Sequence, residues 1–303
     1  MSLHALADHP FAAPRSLAEA CALLAERAAR GERTVLLAGG TDWFVEQHLA
    51  PAPPVDAPLP LVADVSRLAE LRGVADRGDA IRIGAGTTFL ELRRDPLVTA
   101  RLPLLSAAAR DVGAIQIQAR GTLAGNLATG SPAADGVAAL AALDAVLELA
   151  SVRGKRRVPI AGFYTGYRRN VLLPDELIAA VEVVPPAPGS PFAWRKVGTR
   201  QAQAISKVAL AAVAETGREA DADSRLTRLG LGMASVAPTV VSLPEVRALG
   251  LGRPLASIDD EALAAATLAG ISPIDDVRST AAYRRHVAVA LVRRFFESLR
   301  APS

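Results

Sequence analysis

Residues 36–43 read Leu-Leu-Ala-Gly-Gly-Thr-Asp-Trp, an apolar run that ends in a glycine pair, a hydroxyl and a carboxylate. Because glycine has no Cβ, paired glycines permit positive φ and let backbone N–H groups come close to a ligand. Successive N–H groups in such a turn form a concavity that suits phosphate oxygens. A glycine pair after a strand is more often only a turn, however, so this stretch alone leaves both interpretations open.

A second stretch of similar chemistry follows at residues 121–135, Gly-Thr-Leu-Ala-Gly-Asn-Leu-Ala-Thr-Gly-Ser-Pro-Ala-Ala-Asp. Taken alone it is equally well explained as a polar loop in which Asp135 caps the following helix. Two such loops in one domain favour a long ligand, a dinucleotide, held largely by the backbone. Neither stretch fits Gly-x-Gly-x-x-Gly or Gly-x-x-x-x-Gly-Lys-Ser/Thr, which disfavours Rossmann and P-loop sites.

The composition indicates a folded soluble protein and excludes several classes of function. The 303 residues are enough for two domains, and 50% are hydrophobic while 21% are charged. The formal net charge is +3, and the densest basic run, residues 153–157, lies between apolar segments and is interpreted as a solvated turn. We therefore predict no nucleic-acid partner.

The few metal-binding side chains argue against a metal centre on this chain. Cys21 is the only cysteine, which excludes a disulfide framework, an iron–sulfur cluster or a cysteine-rich zinc site within these residues. The histidines show no metal-ligand spacing; they are His4, His9, His48 and His286. No apolar run reaches the length of a membrane span and the N-terminus lacks a signal-peptide layout, so we expect a cytoplasmic protein. Redox chemistry would need a bound organic cofactor.

Periodicity and cap residues predict a mixture of helices and strands. Ser16 and Glu19 form a predicted capping box, and Thr87 or Thr88 caps a later helix. Further helices are predicted at 102–113, 136–143, 258–268 and from Asp275 or Asp276 onward. Strands are predicted at 33–37, 61–65, 81–84, 145–151, 158–160, 178–184, 207–215 and 226–233.

Two proline-rich segments and one apolar stripe complete this pattern. Residues 50–60 read as a surface loop or linker, and residues 185–191 as a boundary between domains. An apolar residue recurs at every fourth position of the last helix, which predicts core packing for Tyr283, Val287, Leu291, Phe295 and Leu299.

Four segments, in order and at fitting spacings, resemble the FAD-binding subunit of molybdenum hydroxylases, the family of the xanthine dehydrogenase and carbon monoxide dehydrogenase medium subunits. The first is residues 38–42, and the second is residues 121–126 together with 131–135. Residues 163–176 are similar to a segment of the xanthine dehydrogenase branch, and residues 276–285 to the family's closing helix. The resemblance covers nearly the whole chain.

The resemblance implies an α+β fold of the PCMH type. A two-lobed FAD-binding domain would occupy residues 1–187, with lobes at about 1–58 and 59–187, and a smaller domain of antiparallel strands and helices would occupy 191–303. FAD would lie between the lobes and the C-terminal domain. It would be bound non-covalently, since neither glycine stretch offers a histidine or cysteine for attachment.

The resemblance also implies which residues bind the cofactor. Gly39, Gly40 and Thr41 would donate to the pyrophosphate, Asp135 would hold the adenosine end, and Lys196 would lie beside the flavin and stabilise negative charge on the reduced ring. Without the resemblance, Lys196 would be interpreted as an exposed strand lysine. The full implied set is Leu36, Leu37, Ala38, Gly39, Gly40, Thr41, Asp42, Trp43, Val112, Thr122, Gly125, Asn126, Asp135, Ile178 and Lys196.

No side chain is assigned an acid–base role, because the chemistry would be the flavin's. The implied function is relay: electrons from a molybdopterin subunit pass through the two [2Fe–2S] clusters of another subunit to FAD, and leave to NAD⁺ or another acceptor. Residues 197–207 match a loop that covers one flavin face in xanthine dehydrogenases. Gln201 and Gln203 stand where the animal enzymes carry charge, which leaves the acceptor open.

Two alternatives remain at this stage. A self-contained flavin oxidoreductase of the same fold would need a substrate-facing acid or base, for which Tyr164, Tyr167 and Glu176 are the candidates. A scaffold subunit that has lost FAD is the other alternative, and the intact glycine stretches argue against it.

Overall fold

The computed structural model describes residues 9–51, 54, 57–200, 202–217 and 225–300. His4 lies outside these ranges, and so does Gln201 of the 197–207 loop that resembles the flavin-covering loop of xanthine dehydrogenases. Within them, no helix combines the length and apolar character needed to cross a bilayer.

The first sheet is built from parallel strands in the order β1–β3–β2. Its elements and the helices between them are β1 (Phe11–Ala12), α1 (Leu17–Ala29), β2 (Thr34–Leu37), α2 (Trp43–Leu49) and β3 (Leu61–Asp64). Parallel neighbours need a crossover connection, and α2 with the proline-rich segment provides it. Strand β3 therefore completes the first sheet, although it lies beyond the predicted division between lobes near residue 58. Helix α2 was not predicted from the sequence.

A five-stranded antiparallel sheet, in the order β4–β5–β10–β6–β7, and a layer of short helices form the central region. In chain order its elements are β4 (Val74–Asp76), β5 (Ile81–Gly84), α3 (Phe89–Arg94), α4 (Pro96–Arg101), α5 (Pro103–Arg110), α6 (Ile115–Arg120), α7 (Leu123–Thr129), α8 (Asp135–Ala142), β6 (Val146–Ser151), β7 (Gly154–Pro159), β8 (Tyr164–Gly166), β9 (Arg169–Asn170) and β10 (Leu177–Val183). The predicted hairpin of β6 and β7 is confirmed.

The C-terminal region is an antiparallel sheet with helices on one face. Its elements are β11 (Phe192–Val197), β12 (Val208–Thr216), β13 (Leu226–Ala234), α9 (Pro244–Gly250), α10 (Asp260–Ala269) and α11 (Ala281–Arg300). Alternate residues of β12 enter two different cores: Val208 and Leu210 pack with Phe296 of α11, whereas Ala209 and Ala211 join the core around α8. Because β12 is buried on both faces, its sequence shows only weak alternation.

The second glycine stretch is helical rather than a loop over much of its length. The hydroxyl of Thr122 accepts a hydrogen bond from the backbone N–H of Gly125 at 3.1 Å and caps α7. Gly130 ends this helix in the left-handed region, with φ +63°. The loop interpretation is therefore corrected: Gly121 and Gly130 flank one short, well-capped helix, and Gly125 lies within it.

The predicted helix starts are partly right. Ser16 caps α1 by accepting from Glu19 N–H, but the Glu19 carboxylate accepts from Arg15 N–H, one residue earlier than in a capping box. Thr88 caps α3 with a complete box. Helix α11 begins at Ala281, whose N–H donates to the Asp275 carboxylate as predicted. The Asp276 carboxylate instead accepts from Arg278 and Ser279 N–H in the preceding turn.

The apolar stripe predicted for the last helix is only partly buried. Phe295 is in the core, but Tyr283 is 42% exposed. The fully buried line of α11 runs through Ala288, Val292 and Phe295, beside the buried Arg284.

Helix α8 lies directly on β13 because two glycines face it. An ideal Cβ on Gly230 would lie 1.8 Å from the Ala142 carbonyl oxygen, and one on Gly232 would lie 2.0 Å from the Ala138 carbonyl oxygen. These distances leave no room for a methyl group, so the contact between the central and C-terminal regions depends on both glycines.

We predict that Gly232→Ala destabilises the protein by about 3 kcal/mol, because the methyl group forces the helix away from the strand. Urea unfolding measures the difference. Gly162→Ala is the matched control, since a Cβ at Gly162 meets no atom within 4 Å. Equal unfolding midpoints for the two variants would contradict the prediction.

Candidate functional site

Three adjoining cavities bring together all of the cofactor-binding residues expected from the sequence. A central cavity of about 190 Å³ is lined by every residue of the 36–43 stretch and by Val112, Thr122, Gly125 and Asn126. A large cavity of about 760 Å³ shares Thr41, Val112 and Asn126 with it, and adds Asp135 and Lys196. A small, mostly apolar cavity of about 90 Å³ adds Ile178 and shares Leu36, Ala38 and Gly125 with the central cavity.

The two glycine stretches touch through backbone atoms. An ideal Cβ on Gly39 would lie 2.0 Å from the Arg120 carbonyl oxygen and 3.0 Å from Gly121 Cα. A glycine is therefore required at position 39 so that the two stretches can pack together. The sequence had suggested a different reason, the close approach of the backbone to a ligand. Gly40 has φ +74°, a conformation that glycine adopts without strain.

The central cavity offers hydrogen-bonding groups that the described protein does not use. Within the described ranges, the backbone N–H groups of Gly39, Gly40, Thr41 and Asp42 donate to no protein acceptor. The buried Oδ1 of Asn126 likewise has no hydrogen-bond partner. Successive unpaired N–H groups in a turn form a concavity that suits anionic oxygens. The turn therefore fits the pyrophosphate of a dinucleotide such as FAD.

A side-chain contact fixes the two glycine stretches at the mouth of the cavities. The hydroxyl of Thr129, on α7, donates to Asp42 Oδ2 at 2.7 Å. Nearby, the Arg168 guanidinium pairs with Glu46 across the large cavity that both residues line. The cavities are thus bounded by the first sheet's loops on one side and by the central helices on the other.

The large cavity contains a buried ion pair between the C-terminal and central regions. The Lys196 ammonium of β11 donates to Asp135 Oδ2 at 2.5 Å and to the Asp111 carbonyl oxygen at 2.7 Å. The Ser206 hydroxyl donates to Asp135 Oδ1 at 2.7 Å. Burial raises the pKa of Asp135, and the Lys196 charge and the Ser206 hydroxyl oppose that rise.

This geometry corrects one expectation. Asp135 and Lys196 were assigned to opposite ends of the dinucleotide, the adenosine and the flavin, but they form one ion pair and therefore lie at the same end. Each carboxylate oxygen of Asp135 accepts a bond from a protein donor, and its side chain does not cap α8.

Sequence reasoning missed Ser206 and the contribution of Asp111. The Asp111 carboxylate accepts from Trp194 Nε1 at 2.8 Å, while its carbonyl binds Lys196. No local pattern marks these residues, because their partners are 71 to 85 positions away along the chain.

The side chains proposed for a self-contained oxidoreductase are mostly occupied in structural contacts. The Tyr164 hydroxyl donates to the Leu127 carbonyl, and burial raises the pKa of Tyr164 far above its usual range. The Glu176 carboxylate is paired with Arg156. Tyr167 lines the large cavity and is 63% exposed. The arrangement favours a site that binds a redox cofactor over one that transfers protons through these residues.

Comparisons with known proteins agree with this class of site. A family model described as "FAD binding domain in molybdopterin dehydrogenase" matches residues 7–187, and one described as "CO dehydrogenase flavoprotein C-terminal domain" matches residues 193–299. The chain therefore belongs to the flavoprotein subunits of molybdopterin-dependent dehydrogenases, which are oxidoreductases with FAD as cofactor.

Individual relatives support the same assignment over nearly the full length. The chain is 30% identical to the carbon monoxide dehydrogenase medium chain of Hydrogenophaga pseudoflava, covering 94% of each chain. It is 32% identical to the putative xanthine dehydrogenase FAD-binding subunit of Escherichia coli strain K12, covering 92% of this chain and 91% of that one. A structure of reconstituted carbon monoxide dehydrogenase from Oligotropha carboxidovorans superposes with a TM-score of 0.85 at 27% identity, covering 97% and 99% of the two chains. The α+β fold expected from the sequence is confirmed.

Glu176 provides a test of the structural role assigned to it. Its carboxylate accepts from Arg156 Nε and Nη2 at 2.7 Å each, and these bonds hold the pKa of Glu176 below its ordinary value. A lowered folded-state pKa contributes stability above the unfolded pKa of about 4.3, and this stability is lost as the pH falls through the folded pKa.

We predict that Glu176→Gln costs at least about 1 kcal/mol at pH 7, because the charge-assisted bonds are lost. The variant should also lose less further stability than the wild type on acidification below pH 5. Urea unfolding at pH 7 and pH 4 measures both effects. Glu46→Gln, which removes the exposed pair with Arg168, is the control and should cost under about 1 kcal/mol. A parallel decline of wild type and Glu176→Gln with pH would refute the assignment.

Proposed function

We propose that this chain carries FAD within a multi-subunit molybdenum hydroxylase and relays electrons from the [2Fe–2S] clusters of a partner subunit to NAD⁺ or another acceptor. The observation that carries the proposal is the row of three cavities, with the unused N–H groups of the glycine turn at its centre. FAD, when bound, supplies the exchange of electrons between one- and two-electron partners.

The shapes and polarities of the cavities support one orientation of the cofactor. The small cavity is lined mainly by apolar side chains, among them Leu36, Leu172 and Ile178, and suits an adenine ring. The large cavity holds Lys196 and opens to the surface, which suits the isoalloxazine ring that exchanges electrons. The pyrophosphate and ribityl chain would then cross the central cavity.

Each group of residues has a binding or orienting role in this proposal. The N–H groups of residues 39–42 would donate to the pyrophosphate, in a turn fixed by the contact between Gly39 and Arg120. Asn126, which lines both the central and the large cavity, would contact the ribityl chain. Val112, which lines both the central and the large cavity, would pack against the ring end of the cofactor. Ile178 would pack at the adenine end, in the small cavity.

The rim of the large cavity supports a protein partner. Val45, Ile117, Tyr167 and Ile205 all line this cavity, and each is at least 40% exposed. Large apolar side chains grouped around a cavity mouth indicate an interaction surface. The relatives include a medium chain and a FAD-binding subunit, so we propose that separate iron–sulfur and molybdopterin subunits assemble with this chain. The molybdopterin subunit would select the substrate. We also propose a cytoplasmic location for the assembled complex.

We predict that Gly40→Glu abolishes FAD binding, because a side chain here is strained at φ +74° and places a carboxylate beside the pyrophosphate. Titration of cofactor-free protein with FAD, followed by flavin fluorescence, measures the loss. Gly31→Glu is the matched control: Gly31 also has positive φ, but its Cβ would meet no atom within 4 Å. Unchanged affinity of Gly40→Glu, in a folded protein, would refute the assigned pyrophosphate site.

The orientation makes a separate prediction. Ala124→Leu should fill the small cavity and weaken FAD binding by tenfold or more, while binding of FMN, which lacks adenine, should hardly change. Fluorescence titrations with both flavins measure this. If FMN affinity falls as far as FAD affinity, the adenine end is not in the small cavity.

The relay itself is tested in the assembled complex. Removal of FAD should leave reduction of the [2Fe–2S] clusters by substrate intact and should abolish electron transfer to the acceptor. Full acceptor reduction by the FAD-free complex would favour a scaffold role for this chain. Oxidation of a small substrate by this chain without its partners would favour the self-contained oxidoreductase.

A further inference from the structure

The Lys196–Asp135 pair is assembled from four separate parts of the chain. Lys196 comes from β11, Asp135 begins α8, Asp111 ends α5, and Ser206 precedes β12. The side chains of Lys196 and Asp135 are 9% and 8% exposed, and Ser206 is completely buried. Two buried opposite charges require good geometry and additional hydrogen bonds, which Asp111 and Ser206 supply.

One N–H group of the Lys196 ammonium is not used in the ion pair or in the bond to Asp111. A lysine ammonium has three N–H groups, and two of those of Lys196 are directed to Asp135 and to the Asp111 carbonyl. Lys196 and Asp135 both line the large cavity. The pair can therefore present one N–H group to a ligand there while contributing almost no net charge.

Two other cations that line the large cavity are also paired, whereas the Asp42 carboxylate is exposed and accepts from the Thr129 hydroxyl. Arg168 is bound to Glu46, and Arg278 to Asp276 at 3.3 Å. These pairs are considerably more exposed than Lys196 and Asp135, so water screens them more strongly. The buried pair is the one whose charge balance acts most strongly within the cavity.

We propose that Asp135 and Lys196 are opposed charges that together set the reduction potential of the bound flavin, with Ser206 as a positioning residue for Asp135. This rests on the proposed function, because it places the flavin in the large cavity. Lys196 stabilises negative charge on the reduced ring, and Asp135 offsets part of that stabilisation. Neither residue is required to transfer a proton.

The proposal predicts opposite effects for the two residues. Electrons added to the ring increase its negative charge, so an uncompensated cation favours the reduced state and an uncompensated carboxylate disfavours it. Asp135→Asn should raise the midpoint potential of the bound flavin, and Lys196→Met should lower it. The double variant Asp135→Asn/Lys196→Met, which is again neutral, should lie between the two single variants.

Ser206→Ala tests the positioning role. The Ser206 hydroxyl donates to Asp135 and stabilises its ionised form. Without this bond the carboxylate is less favoured, so the midpoint potential of the flavin should rise, but by less than in Asp135→Asn. A merely structural role for Ser206 would lower thermal stability and leave the potential unchanged.

The experiment is a spectroelectrochemical titration of the full-length chain with its bound FAD, with heat-released FAD and thermal unfolding measured on each variant. Glu148→Gln, which removes a largely buried, ion-paired carboxylate that lines none of the three cavities, is the matched control and should leave the potential almost unchanged. If Lys196→Met does not fold, adding Lys196→Met to Asp135→Asn must still lower the potential relative to Asp135→Asn alone.

The outcomes separate this inference from the proposed function. Wild type without FAD overturns both. Wild type with FAD, but with potentials that stay fixed or move in the same direction in Asp135→Asn and Lys196→Met, overturns the inference alone. Opposite shifts with partial restoration in the double variant support it.

Discussion

The contact of Gly39 with the backbone at Arg120 and Gly121 is the constraint on which the site depends. No side chain larger than hydrogen fits at position 39, because a Cβ would lie 2.0 Å from the Arg120 carbonyl oxygen. This contact joins the turn after the first parallel sheet to the helices of the central region. The residues of the turn line the central cavity, and the hydrogen bond between Thr129 and Asp42 holds the same junction.

A second constraint connects the C-terminal region to the same site. Gly230 and Gly232 let α8 lie directly on β13, and the buried Lys196–Asp135 pair crosses from the C-terminal sheet to the start of α8. A buried charge without its partner is strongly destabilising, so Lys196 and Asp135 also stabilise the packing of the two regions. Packing and electrostatics at the cofactor site are therefore not independent, and a change at either residue affects both.

The sequence was informative where the signal is local. Runs of apolar residues predicted strands such as β5, cap residues predicted the starts of α1 and α3, and two glycine stretches predicted the residues that line the cavities. The sequence was less informative where contacts between distant residues determine the secondary structure of a segment or the sheet that it joins. Strand β3 follows a proline-rich segment that resembles a linker, yet it pairs with both other strands of the first sheet. The short helix α7 was interpreted as a loop because its glycines were more prominent than its cap at Thr122.

The site shows the same division. Lys196 and Asp135 were both recognised as cofactor-binding candidates, but their mutual contact spans 61 positions, and no local pattern reveals it. Ser206 has no sequence signal at all, since its importance arises only from the carboxylate beside it. Ordinary strand and loop residues can therefore acquire a role in tuning a cofactor through the fold alone.

The most direct test of the account is the visible absorption spectrum of the purified chain, with heat release and identification of any chromophore. The account predicts flavin absorption bands and FAD in the supernatant at close to one equivalent per chain. A colourless protein that also takes up no added FAD would contradict it.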